Sequence, residues 1–268
     1  MRTGILLRNE VLKTRRRAAF WVASLVFAGL MSLIFGSMFS QGLRKPERAF
    51  TLPFAWGDVV GGPGVLAAFF APIVLILLVS SEFTWRTSRQ NVIDGLSKEE
   101  FFGAKLMLLP GVGLFFFLAM LLVGGGFAFA GTIAMGVLAT NGSLLRPVDV
   151  ALMGGAIIGL LGWASFAFLL AITIRSSGSA IGAFFLFFLI EQILGQVAGA
   201  ISPIAGAMAR FAPNAVFKAL WEPVRYGVVP LKQGQLLEIA THWYLTAGIA
   251  YIVLFVLTAF LIHRRRDL

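Results

Sequence analysis

The fold of this chain is decided where two apolar stretches enclose the polar segment Ser81–Lys105, which reads SEFTWRTSRQNVIDGLSKEEFFGAK. The runs 64–81 before it and 105–137 after it are almost wholly apolar. A polar segment of this length in so apolar a chain predicts a loop in water between two membrane-spanning helices. The rest of the sequence is interpreted outward from this loop.

Composition places the chain among membrane proteins. It is 59% hydrophobic and 13% charged over 268 residues, whereas soluble domains are about 25% charged. The net charge of +10 does not indicate nucleic-acid binding, because the basic residues lie at the ends of apolar segments. No cysteine is present, which excludes disulfide and thiol chemistry.

Six segments approach or exceed the roughly 20 apolar residues that a membrane helix needs. They are 18–40, 64–81, 105–137, 148–174, 180–204 and 243–263. The third contains Pro110 and the Gly124–Gly126 triplet, which predict a kink, a tilt or a break. We expect an all-α integral membrane protein with one transmembrane domain, 1–268. The first run exceeds the ~7–15 residues of a signal-peptide core, so we expect an uncleaved helix.

The orientation follows from lysine and arginine counts in the loops. If both termini lie on one side, the loops there carry fourteen basic residues and the opposite loops carry eight. The positive-inside rule therefore predicts both termini in the cytoplasm and a multi-pass protein of the cytoplasmic membrane.

The polar segment divides into two predicted helical pieces. The first, Glu82–Asp94, ends at Gly95, which tolerates the left-handed conformation that closes a helix. The second begins at Ser97, since Ser97 and Glu100 have the spacing of a capping box. The first piece either presents its polar side to a cytoplasmic partner or is a solvated surface helix without one.

The stretch Ser202–His242 is the longest loop opposite the termini and contains four of the ten prolines. Its apolar residues favour short helices that dip into the outer leaflet or cover the mouth of a pathway. An ordered surface loop is the alternative. Glycine pairs at four-residue spacing, such as Gly155 and Gly159, permit close helix packing, although chance pairs are expected with 30 glycines.

Glu191 is the acidic residue that falls deep within a predicted span, where a carboxylate is costly unless paired or protonated. It either lines a pathway or subunit interface, together with Gln192, or pairs with a neighbouring helix. Phe69 and Phe70 in the second span, with Phe184, Phe185, Phe187 and Phe188 in the fifth, either form an aromatic gate or face lipid and neighbouring helices.

No catalytic or metal-binding constellation is visible. The sequence lacks the phosphate-binding pattern GxxxxGK[ST], and it lacks HExxH and GxSxG. If the chain drives uphill transport, the energy must come from a partner protein or an ion gradient.

Three stretches resemble the permease subunits of ABC-2 type exporters, which are the membrane halves of ATP-binding-cassette transporters. These stretches are LLRNEVLKTRRRAAFWV at 6–22, SSEFTWRTSRQNVIDGLSKEEFFGAKL at 80–106 and FLIHRRRDL at 260–268. The resemblance implies a type V exporter-like fold with an N-terminal interfacial helix, a cytoplasmic coupling helix and an outer re-entrant segment. It also implies a second permease copy or paralogue and two separate ATPase subunits, which carry the ATP and Mg²⁺.

The resemblance also assigns roles to residues. Those that would contact the ATPase are Glu82, Arg86, Thr87, Arg89, Asp94, Gly95 and Ser97. Those of the basic interfacial helix are Arg8, Lys13, Arg15, Arg16 and Arg17. Those near the substrate route are Phe69, Phe70, Phe184, Phe185, Glu191 and Gln192. The expected function is efflux of a hydrophobic drug, lipid or peptide. The alternatives are an ion-coupled carrier or channel that uses Glu191, and a non-transporting membrane scaffold.

Overall fold

The computed structural model describes residues 2–84, 97–138, 143–221, 228–230, 236–238 and 241–266. Its helices are α1 (Arg2–Arg15), α2 (Ala18–Arg44), α3 (Ala55–Val60), α4 (Ala67–Thr84), α5 (Lys98–Leu106), α6 (Leu108–Ala134), α7 (Pro147–Ile174), α8 (Ser177–Ile201), α9 (Pro203–Ala209), α10 (Pro213–Trp221) and α11 (Thr241–Arg265). Two three-residue strands, β1 (Val228–Pro230) and β2 (Leu236–Glu238), pair in antiparallel fashion.

The prediction of six membrane-spanning segments is confirmed, since six helical stretches are long and apolar enough to cross a bilayer. Their limits differ from the predicted ones. Helix α2 continues to Arg44, and the second span is preceded by α3 and a short 3₁₀ helix. Helix α8 ends at Ile201, because the side chain of Ser202 caps a new helix there with Pro203 at its start.

The helical hydrogen-bond pattern of the third span is interrupted at Met107, between α5 and α6, while the backbone there stays in the α-helical region, with φ of −65° and ψ of −21°. The break lies three residues before Pro110, whose missing N–H leaves a gap in the helical hydrogen-bond ladder. The glycine triplet does not break α6. Instead, a Cβ at Gly124 would lie 2.7 Å from Val59, and one at Gly125 would lie 2.7 Å from the Trp56 ring. The triplet therefore permits close packing of α3 against α6.

Helix α7 is the centre of the bundle and packs against α4, α6, α8, α10 and α11. In the most apolar stretch of α7, 61% of the residues are buried, and the second span has the same share. The corresponding value for α8 is 11%. Helices α4 and α7 thus form the interior, and α8 presents most of its surface to whatever surrounds the chain.

Helices α9 and α10 form a hairpin that returns into the bundle. The backbone N–H of Ala215, in the first turn of α10, donates to Glu191 Oε1 at 3.0 Å. Glu191 lies ten residues before the end of α8, or about 15 Å along the helix at 1.5 Å per residue. Helix α10 then runs back along α7, and its residues Val216–Leu220 are mostly buried. Short helices that enter the bundle therefore replace the alternative of a surface loop for residues 203–221.

Both ends of the chain meet at the opposite end of the bundle. Arg266 Nη1 donates to the carbonyl of Thr173 at 2.6 Å, which ties the end of α11 to the end of α7. His263 Nε2 lies 3.2 Å from the carbonyl of Lys98 at the start of α5. Helix α1 packs against α5 at the same end. The two described edges of the polar segment and both terminal helices therefore share one end of the bundle.

The contact between α7 and α10 can be tested with two neighbouring glycines. A Cβ at Gly159 would lie 2.8 Å from the carbonyl oxygen of Phe217, whereas a Cβ at Gly154 would meet nothing within 4 Å. We expect Gly159→Ala to lower the stability by about 1–3 kcal/mol through overpacking. Gly154→Ala should be neutral or stabilising by up to about 1 kcal/mol. The midpoint of thermal unfolding in detergent measures both; equal midpoints would contradict the packing described.

Candidate functional site

Two of the residues predicted to contact an ATPase lie at the edges of the polar segment. Glu82 stands near the end of α4. Ser97 begins α5, and its predicted capping box with Glu100 is confirmed. Ser97 Oγ accepts from the Glu100 N–H at 3.1 Å, and the Ser97 N–H donates to Glu100 Oε2 at 3.0 Å. The other five, Arg86, Thr87, Arg89, Asp94 and Gly95, lie outside the described residues.

A buried lysine joins the two edges of the polar segment to the N-terminal helix. Lys105 is 1% exposed, and its Nζ lies 2.5 Å from Glu10 Oε2 and 2.6 Å from Glu82 Oε1. Both carboxylates are themselves buried. Glu10 belongs to α1, Glu82 to α4 and Lys105 to α5. One ammonium group therefore connects three helices that are distant in sequence.

Two further cations complete what we call the ion cluster, which consists of Glu10, Lys13, Arg17, Glu82 and Lys105. Lys13 Nζ lies 3.3 Å from Glu10 Oε1 and 3.5 Å from Glu82 Oε1. Arg17 Nη2 lies 3.5 Å from Glu82 Oε1. Arg17 also donates to the carbonyl of Leu78 at 3.0 Å and to Ser81 Oγ. The start of α2 is thereby fastened to the last turns of α4.

The electrostatics of the ion cluster explain why it fixes these helices so firmly. Three cations face two carboxylates, and a buried charge without a partner costs several kcal/mol. Displacing α1 from α4 and α5 would separate Glu10 from Lys105, and Lys13 from Glu82. The cluster thus makes the N-terminal helix and both edges of the polar segment one mechanical unit.

The five basic residues predicted for an interfacial helix separate into two groups. Arg8, Arg15 and Arg16 are exposed, as a basic surface requires. Lys13 and Arg17 do not simply face the surroundings, because they pair with the carboxylates of the ion cluster. Charge count alone could not separate these groups, because it does not show which face of α1 meets α4.

A second arginine holds the same end of the bundle together. Arg175 ends α7 in a left-handed backbone conformation, with φ of 59°, and its guanidinium lies 5.1 Å from the centre of the Phe83 ring. Burial lowers the pKa of Arg175, and the nearby positive charge of Arg266 lowers it further. Contact with an aromatic face offsets part of the cost of burying this cation.

Among the residues named for an aromatic gate, Phe69, Phe184, Phe185 and Phe188 are linked by ring contacts. The ring of Phe69 stacks on that of Phe185, with 6.0 Å between centroids, and the Phe185 ring meets that of Phe184 edge to face at 5.8 Å. Phe70 instead faces Phe27 on α2 at 5.3 Å. Adjacent residues of a helix point about 100° apart, which turns Phe70 away from this group. Within one chain, the aromatic contact between α4 and α8 comes from Phe69, Phe185 and Phe188.

Glu191 is held by backbone groups of the hairpin. Its Oε1 accepts the N–H of Ala215 at 3.0 Å, which satisfies one of the N–H groups left open at the start of α10. The geometry therefore supports the structural alternative, in which Glu191 pairs with a neighbouring helix. Its neighbour Gln192 is exposed on α8, where its Oε1 accepts from Lys218 Nζ at 2.9 Å.

A polar cleft of about 310 Å³ lies between α8 and the hairpin. The polar side chains that line it are Glu191, Gln192, Gln196, Arg210, Asn214 and Lys218. Gln196 is exposed and only five residues, or about 8 Å, from the end of α8. Polar and charged side chains at such depth generally face a bundle interior or a water-filled cavity. This face of α8 is therefore poorly suited to lipid contact.

Sequence reasoning missed Glu10 and Lys105 as site residues. Glu10 carried a usable signal, because it is the only acidic residue among the first 46. An isolated carboxylate among basic residues indicates a specific partner. Lys105 carried none, since a lysine at the start of an apolar run is equally typical of a membrane boundary.

Comparison with known proteins places the chain in a family without a described function. The chain belongs to the family DUF2705, whose description is protein of unknown function, and the match covers residues 21–268. No curated protein matches it. Helix α1 therefore precedes the matched region, whereas Glu82 and Lys105 lie within it.

Removing the central lysine tests the ion cluster. Lys105→Met leaves two buried carboxylates with poorer partners, and we expect a loss of about 3–5 kcal/mol. Lys98→Met, on the same helix, removes a partly exposed charge whose Nζ donates to the Arg266 carbonyl at 3.4 Å, and should cost less than about 1 kcal/mol. Adding Glu10→Gln and Glu82→Gln to Lys105→Met should restore much of the loss. Thermal unfolding in detergent measures each variant, and equal effects at the two lysines would refute the cluster.

The role of Glu191 is tested with one variant that keeps its hydrogen-bond acceptor and removes its negative charge, and a second that removes both. Gln keeps an acceptor for the Ala215 N–H, so Glu191→Gln should change the stability by less than about 0.5 kcal/mol, whereas Glu191→Leu should cost about 1–2 kcal/mol. Gln196→Leu on the same helix is the control and should be nearly neutral. A stable Glu191→Gln protein that has lost transport in proteoliposomes would point to a proton-carrying Glu191 instead.

Proposed function

Because this family has no described function, we propose from sequence and geometry that the chain is the membrane-spanning permease of an ATP-driven exporter of the ABC-2 type. A separate ATPase docks on the polar segment, and two permeases enclose the substrate route. The observation that carries the proposal is the ion cluster. It joins both edges of a polar segment to the N-terminal helix through charges that are expensive to separate.

The ion cluster provides a route for force. An ATPase that closes on ATP and Mg²⁺ pushes the segment 85–96 and helix α1. Glu82 and Lys105 pass this displacement to α4 and α5, and the break at Met107 allows α5 to tilt relative to α6. Helix α4 contacts α8 through Phe69 and Phe185. Displacement of the polar segment thus reaches the helix with the most exposed surface.

The exposed face of α8 supports a second permease and a pathway beside it. This face carries aromatic residues near α4 and exposed polar residues, Gln192 and Gln196, near the hairpin. Lipid is a poor neighbour for the polar part, whereas a second protein or water satisfies it. Two copies that meet along α8 place Phe185 and Glu191 beside the route, with Phe69 of α4 stacked behind Phe185.

The side chains beside the proposed route favour an apolar cargo that carries a polar group. The aromatic cluster of Phe69, Phe185 and Phe188 suits the apolar body of a drug, lipid or peptide. The cleft at Glu191 and Gln192 provides hydrogen-bonding partners farther along the same helix. Export toward the hairpin end follows if both termini lie in the cytoplasm, as the positive-inside rule predicts.

Co-purification tests the proposal. The tagged chain is expressed in its native host, and the ATPase retained on the chain is identified and quantified in detergent. Arg86→Glu with Arg89→Glu should reduce retention at least tenfold, because charge complementarity at a docking surface is reversed. Arg44→Glu with Arg48→Glu, at exposed positions of the opposite end, is the matched control and should retain the ATPase. Absence of any associated ATPase, or equal amounts of ATPase retained by both double variants, would contradict the proposal.

A further inference from the structure

A second cavity opens at the end of the bundle that carries both termini, separate from the polar cleft at Glu191. Its volume is about 520 Å³, and it lies between the start of α2, the last turns of α4 and the start of α8. Its walls are mainly apolar. The lining residues used below are Arg16, Arg17, Phe20, Leu77, Leu78 and Ser177.

The mouth of this cavity is positively charged. Arg16 is exposed, and its side chain makes no hydrogen bond or ion pair within the described part of the chain. Arg17 beside it is held in place by the Leu78 carbonyl and by Ser81. Arg15 is also exposed. An anion at this mouth meets the available guanidinium of Arg16 and the guanidinium of Arg17, which is already oriented.

Two long helices add their first backbone N–H groups to the same mouth. Helix α2 begins at Ala18 and α8 at Ser177, and neither N-cap side chain accepts a hydrogen bond from its helix. Both Ala18 and Ser177 line the cavity. The positive ends of two helix dipoles therefore reinforce the arginines and favour an anion.

The neighbouring surface places this mouth at the level of lipid headgroups. Trp21 is 47% exposed, and its Nε1 donates to the carbonyl of Arg15 at 2.8 Å. Exposed tryptophans with a satisfied N–H mark the membrane–water interface. The next residues on α2 that face outward, Val22 and Leu25, are exposed and apolar. The apolar walls of Phe20 and Leu77 thus extend from headgroup level toward the membrane interior.

We propose that this cavity binds an anionic phospholipid. The phosphate lies at Arg16 and the start of α8, and the first methylene groups of the acyl chains lie against Phe20, Leu77 and Leu78. Basic pockets between membrane helices are suited to anionic headgroups, and each basic residue near the surface contributes about 1 kcal/mol. The inference rests on the cavity and its charges and does not depend on the ATPase.

The test is native mass spectrometry of the full chain in detergent. It is titrated with phosphatidylglycerol or phosphatidylcholine of identical acyl chains. Phosphatidylglycerol should bind several-fold more tightly, and Arg16→Gln should weaken it about fivefold while weakening phosphatidylcholine less, because choline offsets the charge of the shared phosphate. Arg264→Gln removes an exposed charge at the same end and should have less than a twofold effect.

A second variant controls for indirect effects of the Arg16→Gln substitution. Ser177→Asp places a negative charge in the first turn of α8, which favours the helix but repels an anionic headgroup. It should abolish the preference for phosphatidylglycerol without lowering the thermal midpoint. Equal binding of the two lipids, or equal losses in Arg16→Gln and Arg264→Gln, would overturn the proposal. So would displacement of the lipid by millimolar inorganic phosphate, which would identify a site for the free ion.

Discussion

The buried contact of Lys105 with Glu10 and Glu82 is the constraint on which this end of the molecule depends. A lysine that is 1% exposed at a membrane boundary must have partners, and its partners come from two other helices. The remaining contacts follow from it. Helix α1 cannot drift along the membrane surface, the end of α4 cannot fray, and α5 must begin beside both. The polar segment is thereby held at two fixed edges.

The opposite end is fixed by a different kind of interaction. There, Gly155 and Gly159 of α7 let the backbone of α10 approach closely, and Glu191 of α8 caps the first turn of α10. Backbone packing and one hydrogen bond replace the ionic network. Between the two ends the helices meet through apolar and aromatic side chains, which have no directional preference comparable to an ion pair. The bundle is thus anchored by polar groups at its ends and joined by apolar contacts between them.

Much of this architecture could be predicted from sequence because the responsible signals are local. The six spans follow from apolar length, and the start of α5 follows from Ser97 and Glu100. The partners of Lys105 could not be predicted, because residues 10, 82 and 105 become neighbours only through tertiary packing. The divergence of Phe69 and Phe70 follows from helix geometry alone, because adjacent helical residues point to different faces.

The ion cluster also limits how the bundle can move. An apolar contact of the same size tolerates sliding, because its free energy depends on buried area rather than on particular atoms. Pulling Lys105 away from both Glu10 and Glu82 instead leaves its buried charge unpaired, at a cost of about 3–5 kcal/mol. That cost approaches the whole stability of many domains. Any motion imposed on α1 must therefore carry the ends of α4 and α5 with it, and flexing is confined to places without such pairs, such as the break at Met107.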